Sequence, residues 1–213
     1  MSTHVIPVPQ AHKIPTTDGG TIPERPVYFI GRNYAAHAIE MGYDPYREPP
    51  FFFKRNANKM NAFGEFSYPP HSSDVHHEAE PYVALKSGGT NISVENARDH
   101  VYGYGLSLDM SRRDLPGEMK KMGRPWEIGK AFERSAPCGP SHPFAAVGHP
   151  SEGKQARTVN GDTRQEGDLN QMIWKVPEMI SYLSEYFELA PGDIIQSGSL
   201  SGVGLVQKAT SWK

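Results

Sequence analysis

The segment Glu78-Ala-Glu-Pro-Tyr-Val-Ala-Leu-Lys86 predicts a β-strand with two acidic side chains on one face, because successive side chains of a strand alternate between its faces. Residues 101–110 predict a second, longer strand, in which Tyr and Leu alternate with Gly, Ser and Asp. We expect the Tyr and Leu side chains to pack inward and the small residues beside Asp109 to leave room for a ligand. Pro81 lacks a backbone N–H, which favours a sheet edge or a bulge for the first strand.

Further strands are predicted on both sides of this pair. Residues 27–30 and 51–53 are short apolar runs typical of buried strands. Asn160-Gly161 indicates a tight hairpin turn. Pro191-Gly-Asp193 predicts a turn that leads into a strand at residues 194–195.

The predicted helices are few and short. Asn33 can cap a helix over residues 34–41, and Ser93 can cap a helix that runs to about residue 100. A third helix, with one apolar face, can start at Pro177. Because strands dominate, the sequence predicts one β-rich α+β domain.

Two segments are expected to lie outside regular structure. Residues 1–25 are polar and punctuated by proline, which predicts an irregular extension before a single domain at 26–213. The polar segment 55–64 predicts a mobile loop.

Composition narrows the possible partners. Of the 213 residues, 37% are hydrophobic and 22% charged, which is typical of a soluble globular protein. The formal net charge of -2 gives no electrostatic reason to expect nucleic acid or an anionic membrane as a partner. No apolar run is long enough to span a membrane, and the N-terminus has no signal-peptide pattern. Cys138, as a single cysteine, cannot form an internal disulfide; we expect it to be buried in a cytoplasmic protein.

Three carboxylates form the first candidate site. Glu78 and Glu80 leave the same face of their strand, and Asp109 ends the next strand on its small-residue face. If the two strands pair, these groups form an all-oxygen cluster that suits Mg²⁺ or Mn²⁺ and leaves coordination positions for water and a chelating substrate. The alternative is an exposed acidic strand face with Asp109 as a capping residue, and spacing alone favours that alternative.

A histidine and a glutamate form the second candidate site. His37 and Glu40 are three residues apart on the predicted helix, so they can hydrogen-bond and act as a general base. An ordinary surface pair is the alternative. His76 and His77 are adjacent on a strand and point to opposite faces, so they cannot serve one metal site together.

Basic residues next to apolar or glycine-bearing stretches could balance a carboxylate site that binds an anionic substrate. They are Lys54, Arg112, Arg113 and Lys130. Each of them, taken singly, can equally be a solvated surface charge.

Taken together, the sequence resembles the fumarylacetoacetate hydrolase family, in its small acylpyruvate-cleaving branch. The resemblance covers roughly residues 26–206, and the matching motifs follow in the family's order. They are Gly31-Arg-Asn-Tyr-Ala-Ala-His37-Ala-Ile-Glu40, Phe51-Phe-Phe-Lys54, His77-Glu78-Ala-Glu80, Val101-Tyr-Gly-Tyr104, Leu108-Asp109-Met-Ser-Arg-Arg113-Asp114, Gly123-Arg-Pro-Trp-Glu-Ile-Gly-Lys130, Val159-Asn-Gly161, Leu189-Ala-Pro-Gly-Asp193 and Ser197-Gly-Ser199.

The resemblance implies a mixed β-sandwich roll, a homodimer, and a site built around Mg²⁺ or Mn²⁺. Its metal ligands correspond to Glu78, Glu80 and Asp109, and its catalytic groups correspond to His37, Glu40 and Lys130. Its substrate-binding residues correspond to Arg32, Tyr34, Lys54, Arg113, Ser197, Gly198 and Ser199. The chain is expected to lack the family's last strands.

The activity that the resemblance implies is hydrolysis of a carbon–carbon bond in a 2,4-diketo acid, such as fumarylpyruvate, to pyruvate and a second acid. His37, oriented by Glu40, would activate the attacking water. Two alternatives stay open. One is decarboxylation or isomerisation of an oxaloacetate-type 2-oxo acid at the same metal site, and the other is a non-catalytic homologue that binds only metal or a 2-oxo acid.

Overall fold

The computed structural model describes residues 4–8, 10–40, 44, 49–62 and 66–206. Its strands are β1 (Lys13–Pro15), β2 (Thr21–Pro23), β3 (Val27–Gly31), β4 (Phe51–Arg55), β5 (Met60–Ala62), β6 (Val75–Leu85), β7 (Val101–Arg112), β8 (Ala136–Cys138), β9 (His142–Pro143), β10 (Lys154–Val159), β11 (Asp162–Asp168), β12 (Ile194–Gln196) and β13 (Gly204–Leu205). Its α-helices are α1 (Ala35–Glu40), α2 (Asp114–Lys121), α3 (Glu127–Lys130), α4 (Phe144–Val147) and α5 (Val176–Tyr186). Single 3₁₀ turns cover Ala97–His100 and Leu169–Gln171.

The long antiparallel pair of β6 and β7 forms the centre of the main sheet. The strand order is β4-β3-β12-β6-β7-β8-β5, with β13 added to β6 and β9 to β7. The sheet is mixed, because β12 runs parallel to β3 and β5 runs parallel to β8. Together with the short helices, this architecture confirms the predicted β-rich α+β class.

Apolar layers cover both faces of the sheet centre. On one face, Met179, Ile180 and Leu183 of α5 pack against strand residues that include Val83 and Ile195. On the other face, the β1–β2 hairpin, β5 and β8 pack against neighbouring residues of the same strands. Because both faces are buried, α5 and the hairpin fix the sheet from opposite sides, and the predicted apolar face of α5 is confirmed.

The prediction that Pro81 confines its strand to an edge or a bulge is wrong. β6 is central, and its register with β7 is continuous at the pair Pro81–Leu106. The pairing of β12 with β6 runs toward Pro81 and ends at the pair Gln196–Tyr82, so Pro81 itself has no partner residue in β12. The Pro81 carbonyl instead accepts a hydrogen bond from the backbone N–H of Ser197 (2.9 Å). A proline is tolerated there because the neighbouring strand has ended.

The prediction for the two faces of β7 is also wrong. Leu106 is 62% exposed, so the Tyr and Leu face is not uniformly buried. The space over Gly105 is filled by the Tyr82 ring, and the space over Gly103 by the backbone of His142. The two glycines therefore admit protein atoms, and the cavity that contains the carboxylates is lined by β7 residues from Asp109 onward.

Several local predictions are confirmed and others corrected. Asn160 and Gly161 both have positive φ (54° and 92°) and join β10 to β11 as predicted. Residues 13–23 form a β-hairpin where an irregular extension was expected. The predicted loop at 55–64 contains β5, and the predicted helix before residue 100 is shortened to the 3₁₀ turn at Ala97–His100. No helix in the described part of the chain is long and apolar enough to cross a membrane.

Candidate metal centre and its cavity

Three buried carboxylates meet at the β6–β7 pair. Glu78 lies directly opposite Asp109 in the register, and Glu80 lies on the same face two residues further along β6. Ligand oxygens of the three residues lie within 4.8 Å of one another, and each residue is less than 10% exposed. The predicted juxtaposition of these carboxylates is therefore present, whereas the alternative of an exposed acidic face is not.

Two cations from the chain contact Glu78. The Lys130 ammonium lies 3.2 Å from Glu78 Oε2, and Arg113 Nη1 donates to Glu78 Oε1 at 3.3 Å. Burial alone would raise the pKa of Glu78, but the ammonium and the guanidinium outweigh it and hold that pKa below its usual value. Glu78 is thus an anion held between two positive groups.

The pKa of Glu80 is shifted in the opposite direction from that of Glu78. Burial, followed by repulsion from Asp109 and Glu78, raises the pKa of Glu80 well above its usual value. Its Oε2 accepts a hydrogen bond from the backbone N–H of Gly198 (3.3 Å). Gly198 has φ +91°, and a Cβ there would lie 2.9 Å from the Ile30 carbonyl oxygen, so the close approach of this N–H requires glycine.

Asp109 is contacted from two sides. Arg55 Nη2 donates to Asp109 Oδ1, and the Lys130 ammonium contacts Asp109 Oδ2. Arg55 Nη1 also donates to the backbone oxygen and the hydroxyl of Ser135, both at 3.0 Å. The guanidinium lies over the Phe29 ring, 4.2 Å from its centroid. Arg55 is 1% exposed, so this anchor for Asp109 lies fully inside the protein.

The donor set fits a hard divalent cation. All of its donors are carboxylate oxygens, which suit Mg²⁺ or Mn²⁺. Burial, and then the neighbouring carboxylates, raise the pKa of Glu80, so a bound cation would stabilise its ionised form. Glu78, Glu80 and Asp109 could therefore hold such an ion.

His37 and Glu40 form the hydrogen-bonded pair that their spacing predicts. His37 Nδ1 lies 3.1 Å from Glu40 Oε2 on α1. The backbone N–H of Gly202 donates to both Glu40 oxygens, at 3.1 and 3.2 Å. The loop after β12 thus fixes the glutamate, and the glutamate orients the imidazole. With Nδ1 engaged by Glu40, Nε2 is the nitrogen that can accept a proton.

Asn33 positions this helix, although not as the predicted cap. Its Oδ1 accepts a hydrogen bond from the Trp174 N–H (2.6 Å), and its Nδ2 donates to the Ser197 carbonyl (2.8 Å). The buried amide therefore ties the start of α1 to two distant segments. One of them is the loop that presents Gly198 to Glu80.

A cavity of about 500 Å³ joins the carboxylates to the histidine. A volume of this size suits a small organic ligand. Its lining residues include His37, Glu78, Glu80, Asp109, Lys130 and Ser199. Aromatic side chains of Phe51, Phe53 and Trp126 form an apolar wall. The cavity therefore combines a candidate cation site, a candidate base and positive groups.

Comparison with known families identifies the fold. Residues 26–212 match the family described as fumarylacetoacetate (FAA) hydrolase C-terminal. The chain belongs to the fumarylacetoacetate hydrolase family. The resemblance predicted from the sequence motifs is confirmed, and so is the fold that it implies.

Relatives within the fumarylacetoacetate hydrolase family have more than one activity. The crystal structure of fumarylpyruvate hydrolase from Pseudomonas aeruginosa in complex with Mn²⁺ and pyruvate matches with a TM-score of 0.95 and 45% identity, covering 99% of this chain and 93% of that one. A fumarylpyruvate hydrolase of a Ralstonia species is 38% identical over 75% of this chain and 83% of its own length. An oxaloacetate tautomerase of Escherichia coli is 37% identical over 87% of this chain and 85% of its own.

Several substrate residues that the family resemblance implied do lie at the cavity. Arg32, Arg113 and Ser199 line it, and Gly198 contacts Glu80 through its backbone. Arg32 has φ +56°, a left-handed conformation that is uncommon for a side-chain-bearing residue and that concentrates at functional sites.

Three of the implied substrate residues lie away from the cavity. Lys54 is on the opposite face of β4, with its ammonium 4.7 Å from the Phe187 ring centroid. Tyr34 is buried, and its hydroxyl accepts a hydrogen bond from Gln155 (3.1 Å); burial raises its pKa to about 12. The Ser197 hydroxyl donates to the Pro81 carbonyl at 3.0 Å. Alternation along β4 explains this position of Lys54, because its neighbour Phe53 points to the opposite face and lines the cavity.

Sequence reasoning missed Arg55 and Ser111. Arg55 contacts Asp109 but falls in the segment predicted to be a mobile loop. Ser111 lies on the Asp109 face of β7 and lines the cavity. Side chains alternate between the two faces of a strand up to its last residues. Applied to the ends of β4 and β7, this alternation would have placed Arg55 and Ser111 on the same faces as Phe53 and Asp109. His76 and His77 are adjacent on β6 and have separate partners, as predicted: His77 is buried against Arg157, and His76 pairs with Asp74.

Proposed function

We propose that this protein hydrolyses a carbon–carbon bond of an acylpyruvate, a 2,4-diketo acid such as fumarylpyruvate, with the help of a divalent cation. The observation that carries the proposal is that His37, which is hydrogen-bonded to Glu40, lines the same cavity as the three carboxylates. Hydrolysis needs both a base for water and an electron sink for the departing enolate. The cavity supplies residues for both tasks.

In this proposal His37 is the general base. Its Nε2 takes a proton from a water in the cavity as that water attacks the distal carbonyl of the substrate. Glu40 accepts the Nδ1 proton in a hydrogen bond and stabilises the imidazolium that forms. The proton then returns to the carbon of the leaving pyruvate enolate, so that the products are pyruvate and a carboxylic acid.

The chain's cations hold the substrate's negative charges. Arg113 and Lys130 line the cavity and contact Glu78, which places them beside the proposed cation. They can neutralise a substrate carboxylate and the charge that develops on oxygen during attack. A Mg²⁺ or Mn²⁺ ion held by Glu78, Glu80 and Asp109 would chelate the 2-oxo acid end and stabilise the enolate.

A second candidate activity is tautomerisation or decarboxylation of an oxaloacetate-type acid. It is favoured by relatives named oxaloacetate tautomerase, which are as similar over most of the chain as the Ralstonia hydrolase. Decarboxylation needs chiefly the metal as an electron sink, whereas hydrolysis needs a base that activates water. The role of His37 therefore separates hydrolysis from decarboxylation.

The experiment compares His37→Ala with wild type on fumarylpyruvate and on oxaloacetate, both with Mn²⁺. The proposal expects a loss of hydrolysis by a factor of about 10² or more, with oxaloacetate decarboxylation retained. Glu40→Gln is the matched variant, since it keeps the size of the side chain but removes the charge that stabilises the imidazolium. Hydrolysis that survives in His37→Ala would overturn the assigned base.

We also infer that the protein forms a homodimer through the outer face of β7, which is the face that carries Leu106 and Leu108. Leu106 on this face is 62% exposed and Val147 beside it 46%. Both residues line a groove of about 570 Å³ whose walls include Leu108, Pro137 and Val176. Contiguous exposed apolar surface of this kind marks an interaction site.

A further inference from the structure

Ser111 carries a fully buried hydroxyl and lines the cavity that contains the three carboxylates. It lies on β7 two residues after Asp109 and two before Arg113, so that these three residues leave the same face of the strand. Its exposed fraction is 0%, and it is one of the residues that line the cavity. Among the described residues, its Oγ has no hydrogen-bond partner.

Another serine on the same face shows why this is unusual. The Ser107 hydroxyl, four residues earlier on β7, donates to the Glu80 carbonyl at 3.2 Å. Buried hydroxyls in proteins are nearly always paired in this way, because an unpaired one loses its bonds to water without replacement. The Ser141 hydroxyl is also buried and unpaired, but Ser141 does not line this cavity. Of these two hydroxyls, therefore, Ser111 is the one that a partner in the cavity could reach.

The neighbours of Ser111 define the chemistry of that partner. Asp109 is a candidate cation ligand, and Arg113 presents a guanidinium to Glu78. An anionic oxygen bound between the cation and the guanidinium can accept a hydrogen bond from a serine hydroxyl. A cationic group without an acceptor atom would not suit this position.

We propose that Ser111 Oγ donates a hydrogen bond to a carboxylate or 2-oxo oxygen of the bound 2-oxo acid. The inference rests on the proposed function for the identity of the ligand. Ser111 is thus a substrate-binding residue that the sequence motifs did not indicate, and it fixes the orientation of the chelating end of the substrate.

The test is calorimetric titration of pyruvate into the Mn²⁺-loaded protein. Ser111→Ala is expected to bind pyruvate about tenfold more weakly than wild type, while its affinity for Mn²⁺ alone changes less than twofold. Ser141→Ala is the matched control, because Ser141 is also 0% exposed but is not a lining residue of this cavity. Its pyruvate affinity is expected to equal that of wild type.

Ser111→Thr keeps the hydroxyl and is expected to bind pyruvate more tightly than Ser111→Ala. Equal pyruvate affinity in Ser111→Ala and wild type would overturn the inference, as would an equal loss in Ser141→Ala. The readout is independent of turnover. If wild type binds pyruvate in a Ser111-dependent way but cleaves no acylpyruvate, the proposed activity fails and this inference stands.

Discussion

The Arg55 guanidinium contacts one carboxylate oxygen of Asp109 in the protein interior, while the Lys130 ammonium contacts the other. Arg55 is fixed by Ser135 and the Phe29 ring, whereas Lys130 also reaches Glu78. The two cations therefore have different tasks. Arg55 anchors Asp109 from the protein side, and Lys130 faces it from the cavity side.

Replacing Arg55 is expected to destabilise the fold. Arg55→Met leaves Asp109 Oδ1 buried without its guanidinium, which costs about 3–5 kcal/mol of unfolding free energy. Arg55→Lys keeps the charge but cannot contact Asp109 and Ser135 together with a planar fork, so we expect a smaller loss. Urea unfolding in the presence of a chelator measures both.

Arg164→Met is the control for the loss of an arginine. Arg164 pairs with Asp162 at 3.2 Å, and both side chains are more than half exposed. Such a pair contributes less than about 1 kcal/mol. If Arg55→Met unfolds at the same urea concentration as Arg164→Met, the anchoring role assigned to Arg55 is incorrect.

Replacing Lys130 is expected to strengthen metal binding and abolish turnover. An ammonium that contacts both Glu78 and Asp109 repels a second cation among the same carboxylates. Lys130→Met should therefore bind Mn²⁺ about tenfold more tightly, measured by calorimetry. Lys120→Met is the matched control, since Lys120 lines the cavity but lies over Trp126, 5.8 Å from its ring centroid. A weaker Mn²⁺ affinity in Lys130→Met would contradict the claim that the Lys130 ammonium repels a cation bound by Glu78 and Asp109.

The Cys138 thiol is expected to be inert in the folded protein. It is 4% exposed, and burial raises its pKa to about 12. Because the thiolate is the reactive form and its pKa is raised, we expect the thiol to stay neutral at pH 8.5. A disulfide reagent at pH 8.5 should label no thiol in the native protein and one per chain in urea. Rapid native labelling would show that Cys138 is accessible.

Placing a charge on the outer face of β7 is expected to separate the proposed dimer. Leu106→Asp sets a carboxylate in the lining of this groove, where burial against a partner costs several kcal/mol. Light scattering after gel filtration should give a dimer for wild type and a monomer for Leu106→Asp. Val94→Asp, at a 42% exposed position outside this groove, should stay dimeric. A monomeric wild type would contradict the inference.

Alternation along strands predicted much of the site from the sequence. It placed Glu78 and Glu80 on one face and separated His76 from His77, and the structure has both features. Helical spacing likewise predicted the His37–Glu40 hydrogen bond. Local geometry of this kind depends only on the period of the backbone, which the sequence reveals.

Features that depend on distant neighbours were not predictable in this way. Pro81 is tolerated in a central strand because β12, more than 100 residues later, ends beside it. Arg55 is buried because Ser135 and Asp109 lie next to it in space, although the segment around it is polar. The space over Gly105 is occupied by the ring of Tyr82 from the paired strand. Each of these depends on which strands pair and where they end, which a single segment does not encode.

The most direct test follows the ultraviolet absorbance of the fumarylpyruvate enol with the protein, with and without Mn²⁺, alongside Glu80→Gln. Glu80 is the candidate ligand whose charge the chain stabilises least. Its replacement is expected to remove cation binding while leaving the contacts of Lys130 with Glu78 and Asp109 in place. The account predicts that the absorbance decays only with wild type and Mn²⁺ together, with pyruvate and fumarate as products. An unchanged absorbance with wild type and bound Mn²⁺, or an equal decay with Glu80→Gln, would contradict a metal-dependent acylpyruvate hydrolase.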